Sequence, residues 1–200
     1  MDQNRRLIIG LGNPGIDYVN TRHNAGFMVV DYMSKKFSLS LNEKKKNICY
    51  GFGSIGGIAS ILAKPLAYMN RSGPPCFRLA ENLKISCKDL LVIHDDIDLS
   101  FGRLKIKEKG GDGGHNGLRS LIDAFGCNSF TRLRIGIGRL EDNMNVAEYV
   151  LNDFSSWESR VLKKLIIINA KDAVYTIICK GAQEAMNRFN GKHVDLNVKY

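Results

Sequence analysis

The stretch RLIIGLGNPG, residues 6–15, is the part of the sequence that most clearly indicates the fold class. An apolar run of strand length leads into glycines and a proline, which mark a tight turn. A helical pattern follows, so the chain begins with a strand, a turn and a helix. Similar short runs rich in Ile, Val and Leu predict further strands, and the full set of predicted strands is 6–12, 47–52, 57–63, 89–94, 103–107 and 132–137.

Helix-like segments alternate with these predicted strands, at 24–37, 72–83, 116–125, 156–180 and 182–189. The stretch 155–158 has the capping-box pattern of a helix start, and Gly126 and Gly181 stand where helix ends are expected. The segment 47–63 predicts a hairpin that turns at Gly56-Gly57, which would add antiparallel pairing. Alternating strands and helices with dense apolar runs therefore predict an α/β sandwich with a mixed sheet that is covered on both faces.

The composition fits one globular domain over residues 1–200, with 44% hydrophobic and 24% charged residues. No apolar run approaches the roughly 18 residues of a membrane span, and the N-terminus has no signal-peptide pattern, so we expect a cytoplasmic protein without membrane contact. The net charge of +9 favours a polyanionic partner. Nucleic acid fits better than a membrane surface, because no basic amphipathic helix is evident. A charge that serves only solubility is the alternative.

The cysteines show no pattern of a metal site or of a disulfide framework. Their number is odd, at five, and no C-x-x-C pair occurs. We therefore expect reduced and mostly buried thiols at Cys49, Cys76, Cys87, Cys127 and Cys179.

The glycines after the first predicted strand also match the G-x-G-x-x-G pattern of dinucleotide-binding proteins, at 10–15. Asp31 follows at about the distance of a ribose-binding acid, roughly 20 residues. Two features oppose NAD binding: 16–23 is polar where an apolar helix should pack, and Asp31 lies within a helical run. A tight turn explains the glycines but leaves Asn13 unexplained. Its position at the carboxyl end of a strand directs it towards the crevice where α/β proteins bind ligands.

The four histidines are the main candidates for acid–base chemistry. We expect His193 to be a surface residue and His94 a structural one, because strand alternation turns His94 away from Asp95. His23 lies in a polar stretch before a helix and by itself would be assigned to helix capping or to the surface. Asp95 favours another interpretation, because a carboxylate at the end of a buried strand needs a partner and a histidine is a natural one. The other imidazole nitrogen can then take a proton from water, which is the expected nucleophile since no G-x-S-x-G elbow occurs.

A glycine-rich loop at 110–114 leads into a helix that begins near Asn116. The free backbone amides of a helix start suit a phosphate or an oxyanion, although the loop lacks the G-K-[ST] of a Walker motif. A flexible loop with Asn116 as the helix N-cap is the alternative. Lys105, Lys107 and Lys109 alternate along the preceding strand, so their ammonium groups share one face beside the loop. We interpret this face as a contact for phosphates.

Together, these segments resemble the bacterial peptidyl-tRNA hydrolase family over nearly the whole chain. The matching stretches are GLGNPG (10–15), TRHNAG (21–26), YMNRSG (68–73), HDDIDL (94–99), GGHNGLRS (113–120), RLRIGIGR (132–139), VAEYVL (146–151) and AMNRFN (185–190). The resemblance implies a three-layer α/β/α sandwich with a mixed, mostly parallel central sheet. It also implies a cytoplasmic, monomeric enzyme that uses no metal or other cofactor and hydrolyses the ester joining a peptide to tRNA.

The same resemblance implies a role for individual residues. His23 matches the general base for water, and Asp95 matches the group that orients it. The residues implied to bind peptidyl-tRNA are Asn13, Tyr18, Tyr68, Asn70, His115, Asn116, Lys105, Lys107 and Arg134. Among them the asparagines would hold the peptide, the terminal adenosine and the catalytic water, with His115 orienting Asn116, and the basic residues would hold acceptor-stem phosphates.

The sequence departs from the family pattern at Ala67, where a threonine is usual, at Asp112 within the glycine-rich loop, and at Ser100, where proline is common. A protein of another class, which binds RNA on the same scaffold without catalysis, is the alternative function. The presence of His23 and Asp95 favours the enzyme.

Overall fold

The computed structural model describes residues 5–138 and 145–191. The expected surface position of His193 and the last residue of the RLRIGIGR stretch lie outside the described residues. None of the helices within the described ranges combines the length and the apolar character that a membrane crossing requires.

A seven-stranded sheet forms the centre of the molecule, in the order β2-β3-β4-β1-β5-β7-β6. Its strands are β1 (Arg6–Gly10), β2 (Glu43–Lys45), β3 (Ile48–Ile55), β4 (Ile58–Pro65), β5 (Leu90–Asp96), β6 (Leu104–Lys107) and β7 (Thr131–Gly136). The four strands β4, β1, β5 and β7 run parallel, and β2, β3 and β6 pair antiparallel with their neighbours. The predicted mixed, mostly parallel sheet is confirmed.

The α-helices cover both faces of this sheet and complete the three layers. They are α1 (Ala25–Lys36), α2 (Gly73–Asn82), α3 (Asn116–Phe125), α4 (Val146–Leu151), α5 (Ser156–Val161), α6 (Ile167–Lys180) and α7 (Ala182–Phe189). α1 and α6 pack on one face and α2 and α3 on the other, each over its own apolar core. Along β1, Ile8 belongs to the first core and Leu7 and Ile9 to the second, so the strand is apolar without alternation. Each such buried side chain stabilises the fold by roughly 1.5–3 kcal/mol.

The turn after β1 brings α1 unusually close to the sheet. A Cβ at Gly26 would stand 2.3 Å from the carbonyl oxygen of Ile93 and 2.6 Å from the amide of Leu11, so only glycine fits there. The segment after Gly15 is a short 3₁₀ turn, Ile16–Tyr18, and not the helix of a dinucleotide-binding fold. Asp31 lies on α1 and pairs with Lys64 at 2.5 Å, away from any ribose-binding position. The reasons against NAD binding therefore hold in the structure.

Several local predictions are confirmed. β3 and β4 form the predicted hairpin, and both residues of its turn, Gly56 and Gly57, have positive φ, as a two-residue turn between twisted strands requires. Ser155 and Glu158 form both hydrogen bonds of the capping box at the start of α5. Gly126 ends α3 in the left-handed conformation.

Other elements differ from the prediction. The helix expected over 156–180 is interrupted by a π-helical segment, Leu162–Ile166, between α5 and α6. The strand β2 and the helix α4 are short elements that the sequence pattern does not predict. β2 is exposed and charged, and α4 has only six residues, so neither has the apolar periodicity that marks a longer element.

The expectation of five free thiols is wrong for one pair. A disulfide joins Cys87, in the 3₁₀ turn before β5, to Cys127, in the loop after α3. The two residues are 40 positions apart in the chain, and they meet because each precedes one of the paired parallel strands β5 and β7. Such a pairing depends on tertiary structure and has no signature in the spacing of cysteines. Cys49 and Cys76 are free and buried, and Cys179 is free and half-buried.

Candidate active site

A cleft of about 1090 Å³ opens at the carboxyl ends of β1, β4 and β5, the usual place for ligand binding in a sheet of this kind. The residues that the sequence predicted for the site line this cleft, except Lys105 and Lys109 of the predicted phosphate face. The lining residues from that set are Asn13, Tyr18, His23, Tyr68, Asn70, Asp95, Lys107, His115, Asn116 and Arg134.

The predicted pairing of His23 with Asp95 is confirmed. His23 lies on the 3₁₀ turn Arg22–Asn24, just before α1, and Asp95 is the penultimate residue of β5. Nδ1 of His23 is 2.9 Å from Oδ2 of Asp95 and 3.0 Å from Oδ1, and both residues are buried. Since Asp95 carries a charge at this position, Nδ1 holds the ring proton and Nε2 keeps a free lone pair.

Burial and charge act in opposite directions on this pair. Burial alone lowers the pKa of His23, but the negative charge of Asp95 and its hydrogen bond outweigh burial, so the pKa is raised above the ordinary 6.5. For Asp95, burial alone raises the pKa, but the attraction of His23 and His115 and their hydrogen bonds outweigh it and hold the pKa well below its usual range. Asp95 therefore stays ionised at neutral pH.

His115 is the second partner of Asp95 and also the N-cap of α3. Its Nε2 donates to Oδ1 of Asp95 at 3.0 Å, while its Nδ1 accepts from the backbone amides of Gly117 and Leu118 at 3.1 and 3.3 Å. The alternative of Asn116 as the N-cap is therefore wrong. Because two helix amides point at Nδ1, that nitrogen has to be unprotonated, and the ring proton has to lie on Nε2 towards Asp95. The expected orientation of Asn116 by His115 stays a prediction.

His23, Asp95 and His115 also form a cluster of potential metal ligands. A metal on Nε2 of His115 would move the ring proton to Nδ1, where it would face the amides of Gly117 and Leu118. The two backbone N–H groups would then point at the N–H of Nδ1 with no acceptor between them, which is unfavourable. The geometry therefore fits a chain of hydrogen bonds better than a metal centre.

His94 is buried beside this chain and borders the cleft. Its Nδ1 donates to the backbone oxygen of Asp95 at 2.7 Å, and its ring meets the ring of His115 edge-on at 4.9 Å. Burial and the neighbouring His115 lower the pKa of His94 to about 3, so the ring is neutral. This fits the predicted structural role, although the residue lies closer to the site than its strand position indicated.

Asn13 is held by a network that the sequence did not reveal. Its Oδ1 accepts from the backbone amide of Met69 at 2.8 Å, which leaves its amino group to donate. Asn24 holds the backbone of Asn13 in place. Its side chain accepts from the Asn13 amide at 2.7 Å and donates to the Asn13 carbonyl oxygen at 3.0 Å. Asn24 is buried, and its only sequence signal was its place beside His23 in TRHNAG.

The other predicted polar residues lie around the mouth of the cleft. Tyr18 and Tyr68 form an edge-to-face pair at 6.4 Å, and Tyr68 is 60% exposed. Asn70 and Asn116 are exposed. Asp112, the unusual acid of the glycine-rich loop, accepts from the Gly114 amide at 2.7 Å and lies 3.4 Å from Arg119.

The basic residues differ in how available their charges are. Lys107 is exposed at the cleft, and Lys105 is half-buried on β6 outside its lining. Arg134 pairs opposite Lys105 in the sheet, but its Nε donates to Asp96 at 2.5 Å, which offsets much of its charge. Lys107 is thus the predicted phosphate ligand with the most accessible charge at the cleft.

Arg132 is a further cleft residue that the sequence analysis did not single out. Its guanidinium is buried and donates to the carbonyl oxygens of Gly110, Gly111 and Asn128, which fastens the glycine-rich loop to β7. Burial lowers the pKa of Arg132. The alternation of Arg132 with Arg134 in RLRIGIG is the signal that could have found it.

Helix α4 forms an apolar wall of the cleft, which the sequence analysis also did not predict. This α4 wall consists of Val146, Ala147, Val150 and Leu151. Val146 and Leu151 are 49% and 42% exposed, which is high for apolar residues beside polar ones. The wall borders the same cleft as His23 and Asp95 and offers contact to an apolar part of a ligand.

Comparisons with known proteins agree on one family. The family model described as peptidyl-tRNA hydrolase matches residues 7–197. A peptidyl-tRNA hydrolase of Syntrophotalea carbinolica is 43% identical over 187 residues, which are 94% of this chain and 97% of that protein. The peptidyl-tRNA hydrolase of Bacillus subtilis is 44% identical over 186 residues, which are 93% and 98% of the two chains.

Solved structures give the same result. A crystal structure of a peptidyl-tRNA hydrolase in complex with N-propanol matches with a TM-score of 0.88 at 36% identity, over 96% of this chain and 97% of that chain. A peptidyl-tRNA hydrolase of Acinetobacter baumannii matches with a TM-score of 0.84 at 37% identity over the same shares. The chain thus belongs to the peptidyl-tRNA hydrolase family.

Proposed function

We propose that this chain hydrolyses the ester between a peptide and the terminal ribose of tRNA, and so recycles tRNA from peptidyl-tRNA. The observation that carries this proposal is the buried contact of His23 with Asp95, at 2.9 Å, at the base of a cleft lined by neutral amides. An ester needs only an activated water and a polar environment for its transition state, and both can be supplied by these side chains.

His23 would act as the general base. Asp95 holds the proton on Nδ1, so Nε2 can accept a proton from a water molecule while the water oxygen bonds to the ester carbon. The carbonyl electrons move onto oxygen and then return to re-form the carbonyl, which breaks the bond to the ribose oxygen. That oxygen takes the proton from Nε2, and the products are a free peptide and tRNA with a free hydroxyl group. His115 keeps Asp95 in place from the other side.

The asparagines suit the peptide part of this substrate. Asn13 has an amino group available to donate, and the exposed amides of Asn70 and Asn116 can both donate and accept. A peptide backbone carries both kinds of group and no charge, so neutral amides match it. A free α-ammonium would have poorer partners, and we therefore expect selectivity against ordinary aminoacyl-tRNA. Tyr18 and Tyr68 would border the terminal nucleotide at the mouth of the cleft.

The tRNA part would be held by charge. The chain carries +9, and Lys107 and Lys105 lie beside the cleft on β6 with Arg134 next to them. Contacts to phosphates supply affinity without reading sequence, as an enzyme that accepts many tRNAs requires. We also propose that the protein acts as a monomeric, single-domain enzyme in the cytoplasm, where its substrate is made, and that it needs no cofactor.

The test is the release of N-acetyl-amino acid from N-acetyl-aminoacyl-tRNA by the purified protein, measured beside His23→Ala. General-base catalysis typically contributes about 10²- to 10⁴-fold, so His23→Ala should lower kcat by that factor with little change in tRNA affinity. Asp31→Asn, on α1, is the matched control because its ion pair with Lys64 lies outside the cleft lining. A protein that retards tRNA in a gel without releasing the acyl group would instead be the binding protein of the alternative hypothesis.

A further inference from the structure

Arg22, the residue before His23, forms several hydrogen bonds with residues that are distant in the chain. Its Nη1 donates to the backbone oxygens of Asn152 and Asp153 at 3.2 and 2.8 Å, and its Nη2 pairs with Glu158 at 2.9 Å. The side chains of Arg22 and Glu158 are only 11% and 16% exposed. The ion pair is therefore well shielded from water, and its loss costs more than that of a surface pair.

The guanidinium also lies over two aromatic rings. Its carbon lies 4.5 Å from the ring centre of Tyr149 and 5.5 Å from that of Phe154. The guanidinium is thus bound by carbonyl and carboxylate oxygens and contacts two aromatic rings, which suits arginine better than lysine. Each of these partners belongs to α4, to α5 or to the link between them.

Backbone hydrogen bonds also join residues 20–22 to the segment after α4. The amide of Arg22 donates to the Asn152 oxygen at 3.1 Å, Thr21 pairs with Asp153 as an isolated bridge, and the Phe154 amide donates to Asn20 at 3.2 Å. The turn that carries His23 is therefore joined to the carboxyl end of α4. The guanidinium donates to the carbonyl oxygens of the two residues that follow α4 and places a favourable positive charge at the carboxyl end of the helix.

These contacts affect the cleft, because the residues of the α4 wall line it. We propose that Arg22 is a positioning residue that holds the α4 wall at a fixed distance from His23, and that this distance sets the preference for acyl groups with apolar side chains. The inference rests on the proposed function, since it concerns the acyl part of the same substrate. A large apolar side chain next to the ester would contact Val150 and Leu151, whereas a glycyl group would not reach them.

The test compares two substrates, N-acetyl-leucyl-tRNA and N-acetyl-glycyl-tRNA, in wild type and Arg22→Ala. We expect the ratio of kcat/KM, leucyl over glycyl, to fall about tenfold in the variant, the scale of a lost apolar contact. A purely structural role would lower the active fraction of enzyme and reduce both values equally, which leaves the ratio unchanged. Arg22→Lys keeps the charge but not the planar group, and it should lower the ratio by an intermediate factor.

Ser155→Ala is the matched control. It removes the hydrogen bond from the Glu158 amide to the Ser155 hydroxyl and so lowers stability, while the contacts of Arg22 with Glu158 remain. Its ratio should equal that of wild type. If Arg22→Ala fails to fold, Arg22→Lys and Glu158→Gln decide in its place, and both should lower the ratio. An unchanged ratio in every soluble Arg22 and Glu158 variant, with normal turnover by wild type, overturns the role of Arg22 alone. Absence of turnover of both substrates by wild type overturns the proposed function as well.

Discussion

His23 has to be neutral to accept a proton, and Asp95 opposes this neutral state. The carboxylate raises the pKa of His23 above its ordinary 6.5 although burial acts in the other direction. The base is protonated below that pKa, so kcat/KM should rise with pH through a value above 6.5. At the level of single residues, the partner that orients the base also determines the pH range in which it works.

Asp95→Asn should separate these two effects. Without the carboxylate, burial alone acts on His23, so its pKa falls below 6.5 and the acid limb of the kcat/KM profile moves to lower pH. The plateau should drop by at least about tenfold, because the neutral amide no longer secures the proton on Nδ1. The measurement is a pH profile of N-acetyl-aminoacyl-tRNA hydrolysis, with Asp31→Asn as the control that keeps the wild-type limb. An acid limb at the same pH in Asp95→Asn would show that another group controls it.

The pair could be predicted from the sequence because of the energetic cost of a buried charge. A carboxylate at the end of an apolar strand requires a partner, and few histidines were available. The contact of His115 with the same carboxylate was not predictable, although only 20 positions separate the two residues. It depends on the direction of the imidazole at the start of α3, and side-chain direction at a helix cap does not follow from residue spacing.

Among the elements, α1 has a strictly limited position beside the sheet. The closest approach in this region is at Gly26, one turn after His23, where the helix backbone touches the ends of β1 and β5. A methyl group there would meet backbone atoms at 2.3 and 2.6 Å, and backbone atoms yield far less readily than side chains. The start of α1 therefore has to shift before any larger residue fits, and the turn with His23 would move with it.

Gly26→Ala should consequently reduce both stability and activity. Overpacking of this kind costs about 1–3 kcal/mol, and a displacement of the base by about 1 Å can cost 10²-fold in rate. Urea unfolding and kcat of the soluble fraction measure the two losses. Gly111→Ala is the control for stability, since a Cβ at Gly111 meets nothing within 4 Å. If Gly26→Ala is as stable as wild type, α1 can shift away from the sheet without loss of stability, which would contradict this prediction.

How well an element could be predicted from the sequence depended on its length and periodicity. The strands β1 and β5 and the helix α3 were predicted to within a few residues, because each has a long apolar signal or a clear end. Helix α4 was not predicted, since six residues with a mixed pattern do not differ from a loop by composition. For this reason the sequence predicts the polar side of the cleft but not its apolar side.

For the molecule as a whole, the sequence indicated the layers but not the topology. The strand order and the antiparallel position of β6 beside β7 depend on how the loops cross the sheet. That order brings Lys107 and Arg134 to the cleft and joins Cys87 to Cys127. Motifs that are far apart in the chain meet only because the parallel strands all end at one edge, so the cleft itself is a property of the complete fold.

Folding stability should also depend on pH, through the buried ring of His94. Its pKa is lowered to about 3 in the folded protein, against an ordinary 6.5 in an unfolded chain. Between these values the unfolded chain binds a proton that the folded protein does not bind, so the free energy of unfolding falls as the pH falls, by up to about 1.4 kcal/mol per pH unit. His23 has a raised pKa, and its stabilising contribution is already complete below 6.5, so it does not oppose this trend. Asp95 adds its own loss only below about pH 4, where an unfolded aspartate takes up a proton.

Of the groups with a shifted pKa in the described residues, His94 is the one whose pKa is lowered through this range, so in the window between about pH 6.5 and 4.5 we expect His94→Asn to remove a pH dependence of about 2–3 kcal/mol. An asparagine amide can still donate to the Asp95 carbonyl in place of Nδ1 but does not titrate. Urea unfolding of wild type and variant at both pH values measures the change. The variant should lose stability at neutral pH because its side chain fills less of the space beside His115, yet its curves at the two pH values should nearly coincide. If wild type and His94→Asn lose equal stability across the window, the acid sensitivity of the fold originates at another group.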